Sequence, residues 1–148
     1  SDVIICYLHV VCKSLVLLYY TSPSSSAIIF SASIGLTNAI KFTQRGGTIS
    51  IGVLANHALN EKAAYSTTSN HQVCVFVKDS GIGMTPDIVS RLFKIDEKVS
   101  RPGTENEPST GLGLILCKEF VHKHGGAIWA ESEIHVGSTF YFTIAQSE

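Results

Sequence analysis

The run HQVCVFVKD, residues 71–79, does most to limit what this chain can become. It has the length of a strand, and its apolar residues are continuous from Val73 to Val77, so both faces of that strand carry hydrophobic side chains. Such a strand belongs in the middle of a sheet, covered on at least one side, and is ill suited to a solvated edge. It ends in Asp79, a carboxylate at the rim of an apolar surface, where it needs a hydrogen-bond donor. A glycine-rich turn, DSGIGM (79–84), follows at once.

The neighbouring patterns supply the rest of the sheet and its cover. SIGLTNAIKFT (33–43) reads as a helix ending near Phe42, with Leu36, Ala39 and Ile40 as the core-facing stripe and Ile34, Asn38 and Lys41 on a second stripe. Gly46–Gly47 stops it, and TISIGVL (48–54) alternates as a half-buried strand. Residues 56–70 are expected to form a long hairpin connection. TPDIVSRLF (85–93) predicts a short helix, with Thr85 as cap, Pro86 first and Asp87 in the first turn. KIDEKVSRPGTENEPST (94–110) has seven charges, two prolines and no period, which predicts a long loop. A helix from Gly111 to His124 follows, its apolar side made of Leu112, Ile115, Leu116, Cys117 and Phe120 or Val121. Two closing strands, GAIWAES and GSTFYFTIA, turn around His135–Gly137. In the last, Phe140, Phe142 and Ile144 share one face and Thr139, Tyr141 and Thr143 the other.

With 148 residues the chain fits one domain, able to bury about two-thirds of the surface its unfolded form exposes. A net charge of −1 offers no basic footprint for nucleic acid. Charge is unevenly spread: residues 1–40 hold only Asp2 and Lys13, while the other 21 charged residues lie beyond. VIICYLHVVCKSLVLLYY (3–20) is interrupted by His9, Lys13 and Ser14, and its Val, Ile, Tyr and Cys content predicts two strands rather than a membrane span. No basic region precedes it, as a secretion signal would require. TSPSSSA (21–27) is expected to be a turn or linker. Cys6, Cys12, Cys74 and Cys117 lack metal or redox spacing and read as buried thiols of a reducing compartment. His122 and His124 suit the end of the long helix.

The chemistry concentrates in two glycine pairs, DSGIGM after the central strand and STGLGL (109–114) before the long helix. Neither is a dinucleotide fingerprint or a phosphate loop of the Walker type. Gly111 and Gly113 nonetheless open a helix, whose N–H groups and dipole favour an anion such as a phosphate chain. The Asp79 carboxylate suits the exocyclic amine of a base. Asn38 can offer a neutral oxygen to Mg²⁺, and Lys41 can meet a phosphate oxygen.

These residues carry a family resemblance. Residues 33–145 resemble the catalytic ATP-binding domain of sensor histidine kinases, within the gyrase, heat-shock chaperone, histidine kinase and mismatch-repair ATPase superfamily. LTNAIKFT is similar to the family's N box, DSGIGM to its first glycine box, Arg91-Leu92-Phe93 to its F box, STGLGL to its second glycine box and GSTFYFTI to its closing strand. The resemblance implies a single ATP-binding catalytic domain over residues 1–148, with 1–32 atypical. The implied fold class is α/β, a two-layer α+β sandwich whose mixed, largely antiparallel sheet is covered on one face by helices, with a long ATP lid.

By the same resemblance, Asp79 would bind the adenine amine, Gly81 and Gly83 would shape that end of the pocket, and Thr139 would help hold the base through a water. Asn38 would ligate Mg²⁺, Lys41 would contact the phosphate chain, and Phe93 would anchor the lid. Thr110, Gly111, Leu112 and Gly113 would cradle the phosphates. The implied reaction moves the γ-phosphoryl group of ATP to a histidine, by positioning and charge neutralisation. Implied partners are the phosphoacceptor and dimerisation domain of the same kinase and a response regulator, with no nucleic acid and no direct membrane contact by this domain. It would be cytoplasmic, in a parent protein anchored in the inner membrane. Two departures stand out. Ile34 occupies the place of a second N-box Asn, where related ATPases carry a water-activating Glu, and Ser109 replaces the first glycine of the second glycine box. No acceptor box like S-H-E-L-R-T-P occurs. The alternative reading is a nucleotide-binding regulatory module that lacks transfer activity.

Overall fold

The computed structural model describes residues 4–6, 25–54, 72–95 and 112–145. They form β1 (Ile4–Cys6), α1 (Ser25–Phe42), β2 (Thr48–Leu54), β3 (Gln72–Asp79), α2 (Pro86–Arg91), α3 (Leu112–Lys123), β4 (Ala127–Glu133) and β5 (Gly137–Ala145). The strands make one sheet in the order β1-β2-β3-β5-β4. β1 runs parallel to β2, and every other pair is antiparallel. The sheet is therefore mixed and largely antiparallel, and β3 occupies its centre, as its continuous apolar run requires.

Strand alternation separates two faces. Ile49, Ile51, Val75, Val77, Phe140 and Phe142 point into the main core together with Ala27, Ile28 and Ala39 of α1 and Val121 of α3. On the far face Cys74 and Tyr141 are buried beneath Leu54, Phe76 and Trp129. There the Trp129 and Tyr141 rings stack at 5.1 Å, and the Tyr141 hydroxyl donates to Glu131 Oε2 at 3.0 Å. Among the described residues, helices pack on the first face, which gives the expected α/β two-layer arrangement.

Three expectations need correction. Ser25, Ser26 and Ala27 belong to α1, not to a turn spanning 21–27. Serine is a good residue with which to begin a helix, and the complete burial of Ala27 supplies tertiary packing that a local reading misses. The core stripe of α1 keeps the expected Ala39 and Leu36 but not Ile40. Ile28, Ala32, Gly35 and Ala39 face the sheet, while Ile40 is 39% exposed. A side chain at Gly35 would crowd Phe142 and Val77 at 3.2 Å, so small residues, rather than the most hydrophobic ones, set how closely the helix lies. In α3 the buried side is Ile115, Cys117 and Val121, whereas Leu112 and Leu116 are 46% and 55% exposed and Phe120 is exposed too. Phe120 lies instead against Phe30 of α1, with ring centroids 5.3 Å apart.

The helix ends follow the sequence closely. Thr85 caps α2 by accepting from the Ile88 N–H, with Pro86 first in the helix. α3 closes at Gly125–Gly126, Gly126 N donating to the Val121 carbonyl at 3.0 Å. The His124 ring Nδ1 lies 2.8 Å from the Phe120 carbonyl, the end-of-helix role expected of that residue. Among the described residues, no helix is long and apolar enough to cross a membrane. The second N-terminal strand, the 56–70 connection and all but the first two residues of the 94–110 loop lie outside the described residues, as do the side chains of Cys6 and Cys12.

Candidate functional site

Asp79 closes β3 on the helix-covered face, 6% exposed. Its Oδ1 accepts from the Gly81 N–H at 2.8 Å and from the Ser138 N–H at 3.3 Å. The first bond folds the chain back into the glycine turn, and the second ties that turn to β5. A carboxylate at the end of an apolar strand is thus held by backbone donors, which fixes its direction.

The turn itself is built by close backbone approach. A side chain at Gly81 would run into the Phe42 carbonyl, the acceptor of the Ile82 N–H at 3.0 Å. Gly83 has φ +68°, and a Cβ there would strike the Glu133 carbonyl. At Gly137, φ is +142° and a Cβ would strike the Asp79 carbonyl. The first glycine pair therefore lets this turn sit against the end of α1 and the β4–β5 turn at once. His135 N donates to the Ile82 carbonyl at 2.8 Å and completes the clamp.

Helix α1 joins this region to the second glycine motif. Ile34, Asn38 and Phe42 recur every four residues along one stripe, with Lys41 beside them. At one end Phe42 holds Ile82; at the other, a side chain at Gly113 would crowd Ile34 Cγ2 at 3.2 Å. Eight residues of helix, about 12 Å, separate the two junctions. Asn38 lies midway, half-buried, and Lys41 is half-buried one turn further toward Asp79. Sequence spacing alone placed these two on one face; the packing sets this length of α1 between both glycine motifs.

The remaining candidates fall differently. Phe93 is half-buried and packs on the main core, and its carbonyl accepts from Lys118 Nζ of α3 at 3.3 Å. Leu112 begins α3 with an exposed side chain. Thr110 and Gly111 lie outside the described residues. Thr139 is not beside Asp79. It pairs with Lys78 and Glu131, and successive strand residues point to opposite faces, so it turns to the side away from the helices. Ser138, paired with Asp79 across the ladder and 7% exposed, takes the place expected of Thr139. Ser132 of β4 lies next in the same row, its Oγ 2.7 Å from Ser138 Oγ. Counting alternation back from the core-facing Phe140 would have found Ser138; nothing local marks Ser132.

Cys74 and Cys117 are free and buried. Burial pushes the Cys74 thiol up to about 12, against a weaker opposing pull from the Phe142 backbone. Burial likewise raises Cys117 to about 11, opposed by the Ser31 side chain of α1. Both remain protonated at neutral pH, so neither has the thiolate that redox or metal chemistry uses.

The structure thus brings together a buried carboxylate at the end of β3 and a glycine turn packed against the end of α1. Comparison with known proteins gives the family. The family described as Histidine kinase-, DNA gyrase B-, and HSP90-like ATPase matches residues 32–148. The chain is 38% identical over 109 residues to the adaptive-response sensory kinase SasA of Synechococcus elongatus, covering 74% of this chain and 24% of that one. It is 34% identical over 113 residues to the sensor histidine kinase WalK of Bacillus subtilis, covering 76% and 17%. The chain thus spans about a quarter or less of these relatives. Among solved structures, the catalytic domain of histidine kinase ThkA superposes with a TM-score of 0.60 at 25% identity, over 84% of this chain and 70% of that one. The mycobacterial sensor histidine kinase MprB shares the fold at 23% identity, with a TM-score of 0.59 over 82% and 72%. With its motifs in order and its sheet, helices and glycine turn so arranged, the chain belongs to the histidine kinase, gyrase and HSP90-like ATPase family, as a histidine kinase ATPase domain homologous to those of SasA and WalK.

Proposed function

We propose that this chain is the ATP-binding catalytic domain of a two-component sensor histidine kinase. It hands the γ-phosphoryl group of ATP to a histidine on a separate dimerisation and phosphoacceptor domain of the same kinase, for onward passage to a response regulator. The observation that carries the reading is the α1 stripe running from Ile34 at Gly113 to Phe42 at the Asp79 turn, with Asn38 between. One length of helix thereby spans a base-recognising end and a phosphate-recognising end.

In this reading residues 1–148 act as one domain. Asp79 accepts the adenine amine, with Ser138 beside it and Gly81 and Gly83 shaping the turn. Lys41 contacts the phosphate chain, and Thr110, Gly111, Leu112 and Gly113 supply the α3 end of the cradle. Asn38 would hold Mg²⁺, which when bound neutralises charge on the phosphates. Phe93 fixes the start of the segment that leads to the second glycine motif. Ile34 supports a protein acceptor over water, since an apolar side chain at Gly113 cannot take a proton from a nucleophile. The same residue is the observation that favours the second reading, a regulatory nucleotide-binding module without transfer. The domain acts in the cytoplasm, where ATP is supplied.

Melting the chain with and without Mg-ATP tests binding, because a ligand of the native state stabilises it, by about 2.7 kcal/mol at a hundredfold excess over Kd. Asp79→Asn is expected to weaken ATP binding about ten- to a hundredfold. No stabilisation of the wild type would reject nucleotide binding. Labelled ATP with a supplied acceptor domain then tests transfer: labelled acceptor histidine is expected, and binding without transferred label would leave the regulatory module.

A further inference from the structure

We propose that Ser132 is a positioning residue that fixes Ser138 as a hydrogen-bond acceptor beside Asp79, and so sets the preference of this end for a base edge that donates an amine over one that offers a carbonyl. The inference rests on the nucleotide-binding reading above and adds to it a residue that need not touch the nucleotide.

Ser132 Oγ stands where three backbone segments meet. It accepts from the Met84 N–H at 2.8 Å, donates to the Gly137 carbonyl at 3.0 Å and lies 2.7 Å from Ser138 Oγ. A hydroxyl has one hydrogen and two lone pairs. The Met84 N–H can only donate and the Gly137 carbonyl can only accept, so the Ser132 hydrogen goes to Gly137 and one lone pair goes to Met84. The other lone pair faces Ser138, which must then donate. With its hydrogen used, Ser138 has only lone pairs left to present.

Ser138 lies opposite Asp79 in the ladder, on the same face of the sheet. The Asp79 carboxylate is itself acceptor-only and is already oriented by the N–H groups of Gly81 and Ser138. This end of the site therefore presents acceptors. The amine of adenine meets matching partners directly; the carbonyl at the corresponding place on guanine meets lone pairs and no hydrogen. A polar group left unmatched in a buried place is what makes such discrimination strong.

The test is titration of the 148-residue chain with ATP and with GTP in Mg²⁺, read as the ratio of the two affinities. Wild type is expected to favour ATP. Ser132→Ala frees the Ser138 hydrogen to turn toward the base, and is expected to lower the ratio about tenfold. Ser132→Thr keeps the hydroxyl and is expected to keep the ratio. In a Ser138→Ala background, Ser132→Ala is expected to change the ratio no further, because it acts through Ser138. An unchanged ratio in Ser132→Ala, or an equal drop with Ser138 already removed, overturns the proposal. Trp129 fluorescence melting reports whether each variant folds. If Ser132→Ala does not fold, Ser138→Ala carries the test, and an unchanged ratio there overturns it. A wild type that binds neither nucleotide instead rejects the reading beneath, which separates the two failures.

Discussion

The two glycine motifs occupy opposite kinds of surroundings. Around DSGIGM, backbone and side-chain hydrogen bonds join four segments: the end of α1 through Phe42, the end of β3 through Asp79, β4 through Ser132 and β5 through Ser138. At the described part of STGLGL the contact is apolar, Gly113 against Ile34, and Leu112 and Leu116 on α3 remain substantially exposed. One end of the site is over-determined before any ligand arrives; the other depends on helix packing. Such a division suits a nucleotide site, since the base is a rigid shape to be recognised, whereas the phosphate end must let a group leave.

Breaking the rigid end gives the largest expected effect. Gly83→Ala puts a Cβ into the Glu133 carbonyl at a φ of +68°. Denaturant melting is expected to show a loss of about 2–4 kcal/mol, with ATP binding lost alongside. A variant as stable as wild type would mean that the turn yields easily, and the contrast between the two ends would be wrong.

The packed end is expected to be more tolerant. Ile34→Asn changes a half-buried residue at a tight apolar contact, and should cost about 1 kcal/mol or less in stability. If the apolar residue is what impairs the phosphate end, phosphoryl transfer to a supplied acceptor should rise several-fold while ATP affinity barely moves. No gain in transfer would place any impairment elsewhere.

The smallest effect concerns pH. Cys74 and Cys117 ionise more readily unfolded, near 8.5, than folded, near 12 and 11, so the native state holds its protons more tightly. Their contribution to stability is complete below about pH 8.5 and is lost as pH rises toward 11–12. Melting of Cys117→Ser and Cys74→Ser variants across pH 8–11 should show a flatter alkaline decline than wild type. Cys117 is on the buried side of α3, so its variant also reports on the packed end.

Much of the fold was legible because local patterns and tertiary demands agreed. The apolar run 73–77 required a central strand, Thr85-Pro86 began α2, and Gly125–Gly126 ended α3. Where they disagreed, burial was the arbiter. Hydropathy nominated Ile40 on α1 and Leu112 and Leu116 on α3 for the core, but all three are exposed, and on α1 it is Ala32, Gly35 and Ala39 that are buried, with Gly35 close against Phe142 and Val77. For the proposed site, chemistry and spacing nominated Asp79, Asn38 and Lys41. Ser138 was missed by one residue, which on a strand is the difference between two faces.

By itself, the sequence determined the order of strands and helices, the carboxylate at the end of β3 and the two glycine motifs, because periodicity, caps and turns are local properties. Tertiary structure alone decided that Ser138 rather than Thr139 stands beside Asp79, that Ser132 reaches it from the edge strand, and that α1 runs between both glycine motifs. Those facts depend on register and on how closely elements approach. Both arise only when segments distant in sequence bury against one another.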